Sequence, residues 1–165
     1  MSGHFNTKGD MAYLKTQFNK NLNAGEKLMG AEFEMLVEEY PELTVLIRST
    51  QFPAMGRADV EDFGPQGMNF TQHGALENKG EITVTAVETL TGQVLKAIRN
   101  IVKNKQYVNI TIRATPESTS GATAEPLKFR LSHCKVRSDV VEWSTEDTAA
   151  LVKPSMTIVY NWVDL

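Results

Sequence analysis

His133 and Cys134 stand side by side. A thiol beside an imidazole is the one pairing in this chain that could supply a nucleophile together with its base. The residues around them read as a strand, where neighbouring side chains point to opposite faces. The two could act together only if the backbone bulged there; otherwise Cys134 is a small apolar filler. His4 and His73 have no metal-ligand spacing to one another or to Cys134. Two acidic clusters, Asp59/Glu61/Asp62 and Glu38/Glu39/Glu42, could each form half of a hydrolytic pair or a cation site. Neither has a partner in sequence, and a solvated face accounts for both. GxSxG, Walker, GxGxxG and HExxH patterns are absent. Gly64-Pro65-Gln66-Gly67 has the glycines of a phosphate loop but neither the Lys-Ser/Thr pair nor the helix that should follow. The expectation is a protein with no catalytic residue, no cofactor and no metal.

The charge balance points the same way. Seventeen Lys and Arg face twenty Asp and Glu, for a net charge of −3 and a pI near 5.6. A general nucleic-acid binder more often carries a basic surplus, because phosphate contacts supply most of its affinity. Basic residues do cluster: Lys96, Arg99 and Lys103 along one helical stretch, then Lys128, Arg130, Lys135 and Arg137. Without interleaved exposed aromatics they make a weak nucleic-acid signal. One cysteine allows no intramolecular disulfide, and the first residues lack the apolar run of a signal peptide. These features lead us to expect a soluble protein, made in a reducing cytoplasm and without a membrane segment.

The elements that must position these residues can be read from periodicity. The first ten residues are polar and read as an arm. Met11, Leu14, Phe18 and Leu22 then form an amphipathic stripe, with Asp10 as its N-cap and a break at Asn21–Gly25. Met29, Phe33, Leu36, Val37 and Tyr40 suggest a second helix, ended by Pro41. Either stripe could pack on the core or dock on another subunit.

From Leu43 the period becomes two. Strands are expected at Leu43–Arg48, Ala58–Phe63, Met68–His73, Glu81–Glu88, Gln106–Ala114, from Leu127 through Val136 and on to Val140 and Trp143 past a bulge near Ser138–Asp139, and at Ser155–Val163. In the last, Met156, Ile158, Tyr160 and Trp162 should share the core face. One strong helix lies between two of these strands, with Val94, Leu95, Ile98, Ile101 and Val102 on its apolar side, Thr91 as its cap and a basic last turn. Thr115–Pro126 is a long loop of small polar residues, not expected to pack by itself. The fold class is mainly β with α: an antiparallel β-sandwich or barrel with one packed helix and an N-terminal helical arm. The domains expected are an arm and helical segment over 1–41 and a β domain over 42–165.

This order of elements resembles the tail tube proteins of contractile-tailed bacteriophages, which share a fold with the hexameric tube protein of type VI secretion. The resemblance runs from about Leu43 to Leu165. It is carried by the turn-rich RSTQFPAMGRADVEDFGPQG, the strand EITVTAVE, the helix GQVLKAIRNIVKNK, the strand QYVNITIRA, the strand opening KFRLSHCKV, and the terminal VKPSMTIVYNWVDL. It implies a homo-hexameric ring that stacks into a hollow tube in the virion tail. The implied partners are a tail sheath protein, a tape-measure protein, and baseplate and tail terminator proteins. DNA would pass through the lumen without specific binding, past hydroxyls and carboxylates that repel phosphate.

On this reading Glu81, Thr83 and Thr85, the polar face of the cleanest strand, are lumen-facing candidates. Met11, Leu14 and Phe18, with Ser118, Thr119 and Ser120 of the long loop, are subunit-contact candidates. The alternatives are a baseplate, tail-completion or secretion tube protein, or a β-sandwich ligand-binding module. A binding module would need Trp143, Trp162 and Tyr160 to converge on one exposed face. An enzyme would need His133 or a carboxylate pair in a pocket.

Overall fold

A computed structural model describes residues 8–165. His4 and most of the expected arm lie outside the described residues. The chain divides into two compact units, residues 1–31 and 32–165.

The described part of the first unit is built around α1 (Met11–Asn23). Asp10 caps it as its sequence position suggests. It is extended, and its carboxylate accepts from the Tyr13 backbone N–H at 3.0 Å. The helix stops at the expected break, with Gly25 at φ 85°. No residue of α1 is buried.

The second unit begins with β1 (Phe33–Val37), where the spacing of Phe33, Leu36 and Val37 had suggested a helix. Pairing explains the difference. Met35 lies opposite Ile112 and Val37 opposite Ile110, and all four are buried. Tertiary pairing of this kind outweighs a local helical spacing. Pro41 then starts a 3-10 turn over Pro41–Leu46, with Pro favoured at the first helical position. Val45, expected in a strand, stands 77% exposed, and the strand proper is only β2 (Ile47–Ser49).

The remaining elements follow the period-two reading more closely. They are β3 (Arg57–Phe63), β4 (Asn69–Leu76), β5 (Gly80–Ala86), α2 (Gln93–Lys103), β6 (Val108–Ala114), β7 (Lys128–Ser138), β8 (Ser155–Tyr160) and β9 (Trp162–Asp164). β7 ends at Ser138, so Val140 and Trp143 are not strand residues and both are exposed. Among the described strands β3 and β4 pair only with each other. The rest form one antiparallel sheet in the order β1-β6-β7-β8-β5-β2, with β9 also on β7.

The sheet is nearly closed. The Thr50 hydroxyl, one residue past edge strand β2, donates to the Met35 sulfur of edge strand β1 at 3.4 Å. Inside lies one core: Ile82 and Val84 from β5, Ile110 and Ile112 from β6, Leu131 and Val136 from β7, Ile158 from β8, and Val94, Ala97, Ile98 and Ile101 from α2. The β domain is thus antiparallel with a single packed helix, as expected. Gly80 is fixed by close approach: a Cβ there would collide with the hydroxyl of buried Tyr160, its partner across the β5–β8 ladder.

The cap of α2 is not Thr91. Gly92 occupies the cap position in the left-handed region (φ 72°), where no side chain is available. The Glu88 carboxylate does the work instead, accepting from Thr89 N–H (2.8 Å), Val94 N–H (3.1 Å) and Leu95 N–H (2.8 Å). An anion on these free donors also complements the positive end of the helix dipole.

Candidate assembly surfaces

The pairing that could have been catalytic is separated by the very bulge that might have joined it. Along β7, two residues, Ser132 and His133, oppose the single Asn109 of β6. His133 takes a left-handed φ of 55°. Asn109 and Asn161 pin the distortion. The Asn109 Oδ1 accepts from His133 N–H at 3.2 Å, and the Asn161 Nδ2 donates to the His133 carbonyl at 2.7 Å. The imidazole turns outward and stacks on Tyr107, with ring centroids 3.9 Å apart. Cys134 turns inward, fully buried. Burial pushes its thiol up to about 12, so it carries no thiolate at neutral pH.

The acidic clusters also dissolve into structural roles or open surface. Glu38 pairs with Arg130 at 3.2 Å, which raises the guanidinium pKa first through that hydrogen bond. Glu39 accepts from the Asn109 backbone N–H at 3.1 Å. Asp59 and Glu61 share one face of β3 while Asp62 points to the other. Among the described residues no group of three or more His, Cys, Asp or Glu could hold a metal ion. None of the described helices is long and apolar enough to cross a membrane.

What the molecule offers instead is surface. The β3–β4 hairpin has no buried residue on either face. Val60 and Phe70 share one face, Phe63 lies on the other, and Met68 sits in the turn; all four are exposed. Gln66 (φ 60°) and Gly67 (φ 76°) close that turn in the left-handed region. Two strands alone are marginal in water. This pair displays apolar side chains, and none of its residues is buried.

The solvent face of the main sheet is a second surface. Glu81, Thr83 and Thr85 do share it, as the alternation predicted. Thr83 stands opposite Thr157, and Thr85 opposite Ser155 and Ser49. The bulge adds something unexpected. Plain alternation would put Lys128 and Arg130 on one face and Lys135 and Arg137 on the other. The extra residue at Ser132–His133 brings all four to the face opposite buried Phe129, Leu131, Cys134 and Val136. The face expected to hold hydroxyls and carboxylates therefore also carries a basic row. Its arginines are paired: Arg113 with Glu34 (3.2 Å), Arg130 with Glu38 and Arg137 with Glu81 (4.0 Å).

The inward alternation also slips between β8 and β9. Tyr160 faces the core, and then Val163 rather than Trp162. Trp162 is half exposed and Trp143 is 79% exposed. The two tryptophans and buried Tyr160 thus form no common aromatic face.

Ser118, Thr119 and Ser120 are exposed. Their loop is more ordered than its composition suggested. Thr119 Oγ1 bonds the Pro116 and Ala122 carbonyls (3.1 and 2.8 Å), and Thr123 Oγ1 donates to the Ala114 carbonyl at 2.7 Å. The Glu32 carboxylate accepts from Glu117 N–H at 2.9 Å. Small hydroxylated residues build such turns from their own backbone, which composition alone does not reveal.

No family model matches the chain, and no curated protein matches it in sequence. Solved structures do. The chain is similar to a chain of the anti-feeding prophage cap, the AFP tube-terminating cap, with a TM-score of 0.67 at 13% identity over 84% of this chain and 90% of that one. It is similar to a chain of the PVC sheath–tube complex, from an extracellular contractile injection system in the extended state (TM-score 0.65, 15% identity, 88% and 95% covered). It is also similar to a chain of the PVC sheath/tube terminator in the extended state (TM-score 0.66, 15% identity, 84% and 96% covered). At these identities the likeness shows the fold, which is the contractile-tail tube-like fold that the order of elements suggested.

Proposed function

We propose that this protein is a structural, non-enzymatic subunit of the tail tube of a contractile phage-like particle, closing into hexameric rings that stack around a channel for the genome. The observation that carries the reading is the hairpin of residues 57–76, exposed on both faces and apolar at Val60, Phe63, Met68 and Phe70. A two-stranded element of this kind gains stability from a neighbouring subunit. The likeness to chains of contractile injection systems supports the same role.

Glu81, Thr83 and Thr85 would then line the lumen with Thr157 and Ser155. The basic row revises how DNA slides past. The face is mixed in charge rather than repulsive, and its arginines are held by Glu34, Glu38 and Glu81, so binding to phosphate stays weak. Met11, Leu14 and Phe18 of α1, and Ser118, Thr119 and Ser120, would make contacts between subunits. Sheath, tape-measure, baseplate and terminator proteins complete the set of partners, in a tail assembled in the host cytoplasm.

Negative-stain microscopy of the purified protein tests the reading. Six-fold rings or long tubes are expected, and a compact monomer at every concentration would refute it. A cap or terminator of such a tube is the second reading, favoured by the likeness to the AFP cap and the PVC terminator. It predicts single rings that do not elongate.

A further inference from the structure

The connection between β7 and β8, residues 139–154, is the longest among the described elements. Its ends are anchored. Asp139 N–H donates to the Ser155 carbonyl (3.0 Å), while Glu88 N–H and Ala86 N–H donate to the carbonyls of Val152 (2.9 Å) and Pro154 (3.0 Å). Between these anchors the chain walls a cleft of about 870 Å³, lined by Val140, Trp143 and Leu151 with Glu142 and Asp147. Those three apolar side chains are largely exposed. From 139 to 153 the segment holds four carboxylates, Asp139, Glu142, Glu146 and Asp147, against one cation, Lys153.

α1 has the opposite character. Met11, Leu14, Phe18 and Leu22 recur along it and are each more than half exposed. Between Met11 and Asn23 there are two lysines, Lys15 and Lys20, and no carboxylate. Lys15 lies over the Phe18 ring, 4.9 Å from its centroid, so a positive charge borders the apolar stripe.

We propose that α1 of one copy of this chain docks into the 139–153 cleft of a second copy. Apolar side chains would meet across the contact, and the lysines of the helix would face the carboxylates of the cleft. That copies meet at all rests on the assembly reading; which elements meet is the new claim.

The test uses two full-length variants, Phe18→Cys and Leu151→Cys, mixed as subunits and then oxidised. Buried Cys134 contributes no competing thiol. A disulfide-linked dimer is expected in the mixture and not in either variant alone. Adding Lys15→Glu and Lys20→Glu to the first variant should abolish the dimer, and adding Glu142→Lys and Asp147→Lys to the second should restore it. No mixed dimer, or no rescue on charge exchange, would overturn the proposal. So would a chain carrying both Phe18→Cys and Leu151→Cys that cross-links only within itself. Tubes without the mixed cross-link would sink this contact and leave the assembly reading standing; the cross-link without rings or tubes would do the reverse.

Discussion

The same period-two chemistry yields two kinds of β structure in this chain. In the main sheet, alternate residues of β5, β6 and β8 disappear into one core, and no buried side-chain polar atom among the described residues lacks a partner. In the β3–β4 hairpin, alternation is present but no residue is buried. The contrast teaches that alternation specifies a strand and not what covers it. The sheet finds its cover in its own chain. The hairpin has no such cover among the described residues, and on the proposed assembly reading a neighbouring copy supplies it.

The contrast can be broken most forcefully from the core side. Leu131→Ala should cost about 3 kcal/mol in urea unfolding of the subunit, because it opens a cavity among fully buried neighbours. Phe70→Ala in the hairpin should cost the subunit less than about 0.5 kcal/mol, as expected for an exposed position. Equal losses would erase the distinction. The next effect is in assembly. Phe63→Ser with Phe70→Ser should leave the melting temperature of the subunit unchanged and stop rings or tubes from forming, scored by microscopy.

Glu88→Ala removes the acceptor for two backbone N–H groups in the first turn of α2 and for Thr89 N–H just before it, and should cost about 2 kcal/mol. Thr91→Ala, at the position that resembles a cap in sequence, should cost much less. The last effect appears only at high pH. Burial holds the proton on Cys134 more tightly in the folded chain, and burial raises Tyr160 as well. This contribution is fully present below the ordinary thiol range and is lost as pH rises toward 12. Stability should therefore fall over that window, less steeply in Cys134→Ala. Native Cys134 should resist alkylation at pH 8 and react once unfolded.

Much of the sheet was legible in the residues. Ile82, Val84 and Ala86, then Val108, Ile110 and Ile112, alternate over whole strands, and the stripe of α2 holds at Val94, Ile98 and Ile101, while Val102, expected on it, stands 58% exposed at the end of the helix. The polar row Glu81, Thr83, Thr85 follows from that alternation. β1 was hidden because Phe33, Leu36 and Val37 fall at helical spacing by chance, and only pairing with β6 decides between the two. The bulge at Ser132–His133 was hidden for a related reason. It is set by Asn109 and Asn161, 24 and 28 residues away from His133, and it shifts the faces of Lys135 and Arg137. The exposure of the hairpin was invisible too, since Val60, Phe63 and Phe70 look like core residues until the structure leaves them exposed.

Amide hydrogen exchange of residues 57–76, compared between isolated subunits and assembled protein, tests the central claim most directly. In isolated subunits the hairpin amides should exchange rapidly while those of β6 and β7 stay protected; in the assembly the hairpin should become protected. A hairpin already as protected as the main sheet in the isolated subunit, or one whose exchange is unchanged on assembly, would contradict the account.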